Sequence, residues 1–247
     1  MEKSAELAKI IKESDNIVFF GGAGMSTESG IPDFRSADGI YNQKLNREFS
    51  PEEMVSHSFL IEHPRDFFEF LFAKMIFLDA KPNVGHKALA KLEQLGKLKG
   101  VVTQNIDGLH QMAGSQRVHE LHGTLLRWYC MDCGKAYSLE EVLSNRNEAV
   151  PHCQDCGGVI RPDVVLYEEG LDNMVIAQAV NAISKADTLI VGGTSLAVYP
   201  AAGLVDYFHG KNLVVINKTA TKADLTANLV IREPIGQVVG EAVKDIT

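Results

Sequence analysis

Short apolar runs recur along the chain and alternate with stretches of helical patterning. Leu7, Ile10 and Ile11 fall at helical spacing within residues 5–13, which predicts a first helix. Ile17-Val18-Phe19-Phe20 follows, a run that reads as a buried strand and stops at Gly21-Gly22-Ala23-Gly24. Val101-Val102-Thr103, Val164-Val165-Leu166, Leu189-Ile190-Val191 and Leu213-Val214-Val215-Ile216 repeat that signature, and Leu229-Val230-Ile231 is a further candidate strand. Helical patterns at 86–95, 172–185 and 200–208 separate most of these runs. Strands apolar at consecutive positions are covered on both faces, and their alternation with helices predicts an α/β fold built on a parallel sheet.

Two stretches break the rhythm. Residues 36–80 read as helical and loop-rich, with Phe67, Phe68, Phe70, Leu71 and Phe72 close together, and residues 124–160 hold every cysteine. Both read as insertions that together make a small second domain: a helical module at 36–80 and a metal-binding module at 124–160. The large domain is then discontinuous, made of 1–35, 81–123 and 161–247. A cleft between two such domains is the natural ligand site.

A length of 247 residues suits one large domain with a small one, and 45% hydrophobic residues suffice for a sizeable core. The net charge of -8 argues against non-specific nucleic-acid binding, which needs a basic footprint, and suits a basic peptide partner only weakly. The opening residues Met1-Glu2-Lys3-Ser4 lead into a charged amphipathic segment with no apolar signal-peptide core. No apolar run approaches the ~18 residues of a membrane span. The expectation is a soluble cytoplasmic protein without a membrane partner.

The four cysteines form two CxxC pairs, Cys130-Met131-Asp132-Cys133 and, 19 residues on, Cys153-Gln154-Asp155-Cys156. A CxxC turn presents two thiolates to one ion, and two such turns complete the tetrahedral shell that Zn²⁺ prefers. Gly134, Gly157 and Gly158 follow the pairs, where knuckle turns call for positive φ. A closed shell of four cysteines leaves no place for water, so the zinc is expected to be structural. Redox dithiols or free buried thiols are the alternatives, and ribbon-like spacing favours metal. Gly22-Ala23-Gly24, directly after the first strand, would let backbone approach a pyrophosphate, with a following helix N-terminus favouring the negative charge. The full GxGxxG fingerprint is not met, because the sixth residue from Gly22 is Thr27. Alone, this loop suggests a nucleotide and no particular reaction, and an ordinary strand-to-helix turn accounts for it about as well.

Longer motifs say more. Gly22-Ala23-Gly24-Met25-Ser26 continues into Gly30-Ile31-Pro32-Asp33-Phe34-Arg35. Thr103-Gln104-Asn105-Ile106-Asp107-Gly108-Leu109-His110 and Glu120-Leu121-His122-Gly123 come next, then the paired CxxC motifs and Arg161-Pro162-Asp163-Val164-Val165. Gly193-Thr194-Ser195-Leu196 and Ile216-Asn217 complete the series. In this order and spacing the set resembles the sirtuin family, over roughly residues 17–235. The resemblance implies a large Rossmann-like domain, a small domain carrying zinc and a helical module, NAD as co-substrate, and an acyl-lysine protein or peptide in the cleft. It implies nicotinamide, deacylated lysine and O-acyl-ADP-ribose as products.

Roles follow by resemblance. His122 matches the family's general base, and an imidazole titrates in the right range for that work. Asn105 and Asp107 match the nicotinamide pocket, Asn105 orienting ribose or water and Asp107 accepting from the amide; Gln104 contacts ribose, and Ile106 lies in the same motif. A polar turn capping the next helix is the plainer reading of these residues. Phe34 matches an aromatic that shields the reaction centre, and Arg35 a phosphate contact. Ala23, Gly24 and Thr27 face the pyrophosphate, with Gly193, Thr194 and Ser195 opposite and Asn217 at the adenosine ribose. Val164, Val165 and Leu166 match the stretch to which substrate peptide adds as a strand. Three positions depart from the family's common pattern: Gly21 for threonine, Thr194 for serine, and Glu168 for the glycine that precedes Glu169. Leu71 and Lys74 stand where members favouring acidic acyl groups carry tyrosine and arginine, so acetyl and longer apolar acyl groups are expected over succinyl. The competing readings are mono-ADP-ribosylation of protein from the same NAD site, a hydride-transfer dehydrogenase, and a non-enzymatic zinc-ribbon module.

Overall fold

The computed structural model describes residues 2–34, 36, 39–40, 49–145 and 149–247. After α1 (Glu2–Glu13) the chain enters β1 (Ile17–Gly21), then two 3₁₀ turns, Ala23–Met25 and Thr27–Ser29. α2 (His57–Glu62), α3 (Pro64–Lys74) and α4 (Val84–Gln94) lead to β2 (Leu98–Thr103), α5 (Leu109–Met112) and β3 (Val118–Glu120). β4 (Gly123–Cys130), β5 (Ala136–Ser138), α6 (Leu139–Ser144) and β6 (Ile160–Val164) follow. α7 (Asn173–Lys185), β7 (Thr188–Gly192), β8 (Asn212–Ile216), β9 (Leu229–Ile231) and α8 (Ile235–Val243) end it.

Six parallel strands form the main sheet in the order β3-β2-β1-β7-β8-β9. Side chains alternate across it as the strand period requires. Ile17, Phe19, Ile190, Val214 and Ile216 join one core with α1, α4 and α8, while Val18, Phe20, Val191 and Val215 join a second with α7. Both faces are therefore covered, which is why these strands read as unbroken apolar runs. From β1 the chain builds outward through β2 and β3, then crosses back to build β7, β8 and β9 on the other side. The crevice at the carboxyl ends of β1 and β7 is thus a topological switch point.

The run at Val164-Val165-Leu166 departs from expectation. Its strand, β6, ends at Val164 and pairs antiparallel with β4 in a separate three-stranded sheet, β5-β4-β6. Pro162 lies within β6 and has no N–H to give, so the strand suits an edge and not the interior of a parallel sheet. The helical pattern at 200–208 is a 3₁₀ helix, Ala201–Tyr207, with Gly203 at its middle, where an α-helix is weakened. The two insertions share one core: Phe59, Phe67, Phe68 and Leu71 from α2 and α3 pack with Trp128, Ile160 and the buried Cys130 and Cys153. Phe72 stacks on Trp128 at 5.9 Å between ring centroids, 9° from parallel. Among the described residues no helix is long and apolar enough to cross a membrane.

Candidate active site

The turns that leave β1 and β7 touch backbone to backbone. Gly24 N–H donates to Gly193 O at 2.8 Å. A Cβ on Gly24 would lie 2.7 Å from Gly193 Cα, and one on Gly193, at φ 61°, would lie 2.5 Å from Met25 N. Only glycine fits such an approach, which leaves bare backbone facing the crevice. No α-helix follows directly, contrary to expectation: the chain turns twice in 3₁₀ form because Gly30, at φ 85°, ends the second turn in the left-handed region. Two residues outside the motif reading hold this loop. Glu28 accepts from Gly236 N and Gln237 N at the start of α8. Asn83 donates from Nδ2 to Met25 O and Ser29 Oγ while its Oδ1 caps α4.

Beyond β2, three side chains from two strands make one chain of hydrogen bonds. Asn105 Nδ2 donates to Ser26 Oγ at 3.1 Å, and Ser26 Oγ donates to Asp107 Oδ2 at 2.6 Å. Asp107 Oδ1 also accepts from Leu109 N, so the capping role considered for this residue is present as well. Burial pushes the Asp107 carboxyl above its ordinary range, and the Ser26 and Leu109 hydrogen bonds offset part of that. Ser26 was not singled out from sequence; its place two residues after Gly24 in the glycine loop was the available signal. Gln104 Nε2 donates to Thr194 Oγ1 at 3.0 Å, which joins the turns after β2 and β7. The hydroxyl is what this contact uses, so threonine serves at 194 as serine would.

His122 stands between the two sheets. Its Nδ1 lies 3.0 Å from Gln104 O. A carbonyl only accepts, so Nδ1 carries a proton and neutral imidazole leaves Nε2 as the free base. Burial lowers its pKa from the usual value, and the Gln104 carbonyl returns part of that. Gly123 turns the chain sharply at φ 72°, where a Cβ would overlap the Asp163 carbonyl on β6. The glycine beside the histidine is therefore what lets β4 begin against β6.

These groups line one cavity of about 550 Å³. Ala23, Gly24, Thr27, Gly193, Thr194, Ser195 and Asn217 line it toward the main sheet. Gln104, Asn105, Ile106, Asp107, His122 and Phe34 line it as well, and so do Val164, Val165 and Leu166 from the end of β6 and the segment after it. Beside them Ile40, Val55, Phe67, Leu71 and Met75 give an apolar lining. Arg35 lies outside the described residues. Thr27 Oγ1 is turned back onto Gly24 O at 3.0 Å.

The four cysteines meet away from the cavity, all sulfurs within 4.8 Å of one another. Cys130 and Cys156 Sγ are 3.4 Å apart, and Cys133 and Cys153 Sγ 3.7 Å. A tetrahedron of Zn–S bonds at about 2.3 Å has S–S edges of about 3.8 Å, so the set fits one zinc ion. Gly134 and Gly157 have φ of 72° and 79°, as knuckle turns require. Gly158 does not adopt positive φ; it is small because a Cβ there would lie 2.5 Å from Asp132 Oδ2.

A model of the Sir2 family matches residues 22–200. The "NAD-dependent protein deacetylase" of Clostridium perfringens is 61% identical over 98% of this chain and 99% of that one. A Sir2 variant solved with a deacetylated peptide and 3'-O-acetyl ADP ribose superposes with a TM-score of 0.90 at 38% identity, covering 99% of this chain and 98% of that one. A Sir2 complex with peptide and NAD+ gives 0.86 at 38% identity, over 98% of each chain. Matched along nearly its whole length by sequence and by structure, this chain belongs to the Sir2, or sirtuin, family.

Proposed function

We propose that this chain is an NAD-dependent protein lysine deacetylase with His122 as its general base. The observation that carries the reading is the His122 ring itself: Nδ1–H is fixed on Gln104 O, and the Nε2 lone pair is left free in the cavity that the Asn105–Ser26–Asp107 chain also lines. NAD, when bound, would supply a ribose whose C1′ exchanges its bond to the departing nicotinamide for one to the acyl oxygen of the substrate lysine, after which a ribose hydroxyl would need a base to take its proton. Burial keeps His122 neutral at physiological pH and so ready to take that proton. Asp107 accepts from the nicotinamide amide, Asn105 orients the ribose or a water, and Phe34 screens the centre from solvent. The glycine turns at 22–24 and 193–195 accommodate pyrophosphate, Arg35 contacts phosphate, and Asn217 reads the adenosine ribose.

Val164, Val165 and Leu166 pair with the substrate backbone, while Leu71 and its apolar neighbours receive the acyl chain and favour acetyl over succinyl. Residues 36–80 and 124–160 act as one small domain against a large domain of 1–35, 81–123 and 161–247, a division supported by the core the two insertions share. Zinc bound by Cys130, Cys133, Cys153 and Cys156 is structural, since four thiolates close its shell. Four reduced cysteines at a metal site suit the cytoplasm.

Nicotinamide release from NAD, measured by chromatography with and without an acetyl-lysine peptide, tests the reading. The expected result is release that requires the peptide and matches the deacetylated product. Peptide-independent release would overturn it in favour of ADP-ribosyl transfer or NAD hydrolysis. His122→Ala is expected to bind NAD and to lose turnover.

A further inference from the structure

The segment that leaves β6 is tied to the start of α2 by contacts for which the reaction has no evident need. The leading N–H groups of a helix have no partners within it. At α2 each finds one. Ser56 N–H donates to Glu53 O at 3.0 Å, His57 N–H to Tyr167 O at 3.1 Å, and Phe59 N–H to Ser56 Oγ at 3.2 Å. Ser58 N–H donates to Glu168 Oε2 at 2.9 Å, and Ser58 Oγ donates to Glu168 Oε1 at 2.9 Å. Tyr167 N–H returns to Val55 O at 3.1 Å. Glu168 thus clasps Ser58 with both carboxylate oxygens.

It does so at φ 76°, in the left-handed region that side chains other than glycine occupy at a cost. Such a conformation persists where surrounding contacts over-determine it. Glu169 secures the same turn from the other side, accepting from Leu166 N, from the buried Arg161 guanidinium and from His57. Upstream, Val165 N–H donates to His122 O at 3.0 Å. The edge at 164–166 is therefore anchored at one end to the backbone of His122 and at the other to α2.

We propose that Glu168 is a positioning residue for the acyl-lysine peptide: its clasp on Ser58 preforms the 164–166 edge, so that binding does not have to order it. The proposal rests on the reading that this edge pairs with substrate. It predicts an effect on peptide and none on NAD.

The test uses the full chain, an acetyl-lysine peptide, and Glu168→Ala, Glu168→Gly, Glu168→Gln and Ser58→Ala variants. Loss of a charge-assisted pair of hydrogen bonds at an exposed site is expected to raise peptide KM about tenfold in Glu168→Ala. kcat and the KM for NAD are expected to stay within about twofold, since both sites for those steps are untouched. Glu168→Gly relieves the backbone but lacks the clasp, so its peptide KM stays high; recovery to the wild-type value would overturn the proposal. Glu168→Gln keeps one acceptor oxygen and recovers part of the loss. Ser58→Ala removes only the Oγ–Oε1 bond, which Glu168→Ala already removes, so it adds little on top of Glu168→Ala; full additivity would overturn the proposal. Hydrogen exchange at Ser58 and at 165–167 reads the clasp without turnover, and unchanged rates in Glu168→Ala would overturn it. If the wild-type chain does not turn over acetyl-peptide, the deacetylase reading and the positioning role fall together, and exchange still judges the clasp.

Discussion

Ser26→Ala removes the middle of the hydrogen-bond chain that joins the glycine loop to the turn after β2. Ser26 is only 1% exposed, so water cannot readily replace its hydroxyl. The bond it donates to Asp107 Oδ2, at 2.6 Å, has a charged acceptor and is worth about 1.5–3 kcal/mol, and the bond it accepts from Asn105 Nδ2 about 1 kcal/mol. If about 2–3 kcal/mol of this is felt in the transition state, kcat/KM for NAD falls about 30- to 150-fold. The pH profile should move as well. Asp107 is already raised by burial, and the Ser26 hydroxyl is the first of the hydrogen bonds holding it down. Without that bond the carboxyl rises further. A carboxyl raised on folding binds more protons in the folded state, so its contribution to stability is present at low pH and lost as pH rises through the folded value. The acid limb of NAD turnover should therefore shift upward. The assay is nicotinamide release against NAD concentration across pH, alongside a thermal melt. A lowered melting temperature with kcat/KM within twofold of wild type would refute the reasoning, because the network would then be structural alone.

Stripping zinc with a chelator is expected to abolish turnover and to change the emission of Trp128, the chain's single tryptophan, which packs with Cys130 and Cys153; unchanged emission after metal is lost would count against a structural zinc. His86 is pushed down to about 4 by burial, and His110 to about 3 by burial and by His86, whose ring centroid is 4.7 Å away. Both folded values lie below the unfolded one, so stability holds above about pH 6.5 and drains as pH falls toward 4, by about 3 kcal/mol from His86 alone; urea melts that are flat over that window would refute this. Gly123→Ala forces a Cβ against the Asp163 carbonyl at φ 72° and is expected to cost about 3 kcal/mol or more of stability and the alignment of His122, checked by thermal melt and turnover.

The parallel strands were legible because covering both faces of a sheet demands apolar residues at every position, as in Ile17-Val18-Phe19-Phe20. β4 was not, since its pairing with β6 shifts register between Thr124 and Trp128 and leaves the consecutive Leu126 and Arg127 exposed between buried Leu125 and Trp128. The short β3 offered only Val118-His119-Glu120, half-buried throughout. α8 went unread although its apolar face is strong, because Gly236 and Gly240 lie inside it. Gly240 packs against Val84 at the start of α4, and Gly236 against Glu28 and Asn83, which is a tertiary reason that no local pattern carries. The zinc ligands were legible from spacing alone. Glu28 and Asn83 were not, because each acts on an element far away in sequence.

What converts the motifs into a site is strand order. β1 and β2 run parallel with Gly21 opposite Thr103, β7 places Gly192 beside Gly21, β8 places Ile216 beside Gly192, and β3 places Glu120 beside Thr103. The residues one step beyond those strand ends are therefore neighbours across the sheet: Leu121, Gln104, Gly22, Gly193 and Asn217. The glycine loop, the Thr103–His110 and Glu120–Gly123 motifs, Gly193–Leu196 and Ile216-Asn217 each contribute to that row or to the residues just past it, whereas the CxxC pairs and Arg161–Val165 belong to the second sheet and its metal module. Ser26 lies five positions after Gly21, and Asn105 and Asp107 two and four after Thr103, which is how three motif residues beyond two neighbouring strands come to share hydrogen bonds. His122, one step past Leu121, is then within reach of Gln104 O, and the same residue turns the chain through Gly123 into the second sheet. The spacing within each motif counts steps past a strand end, and the parallel register turns those counts into distances.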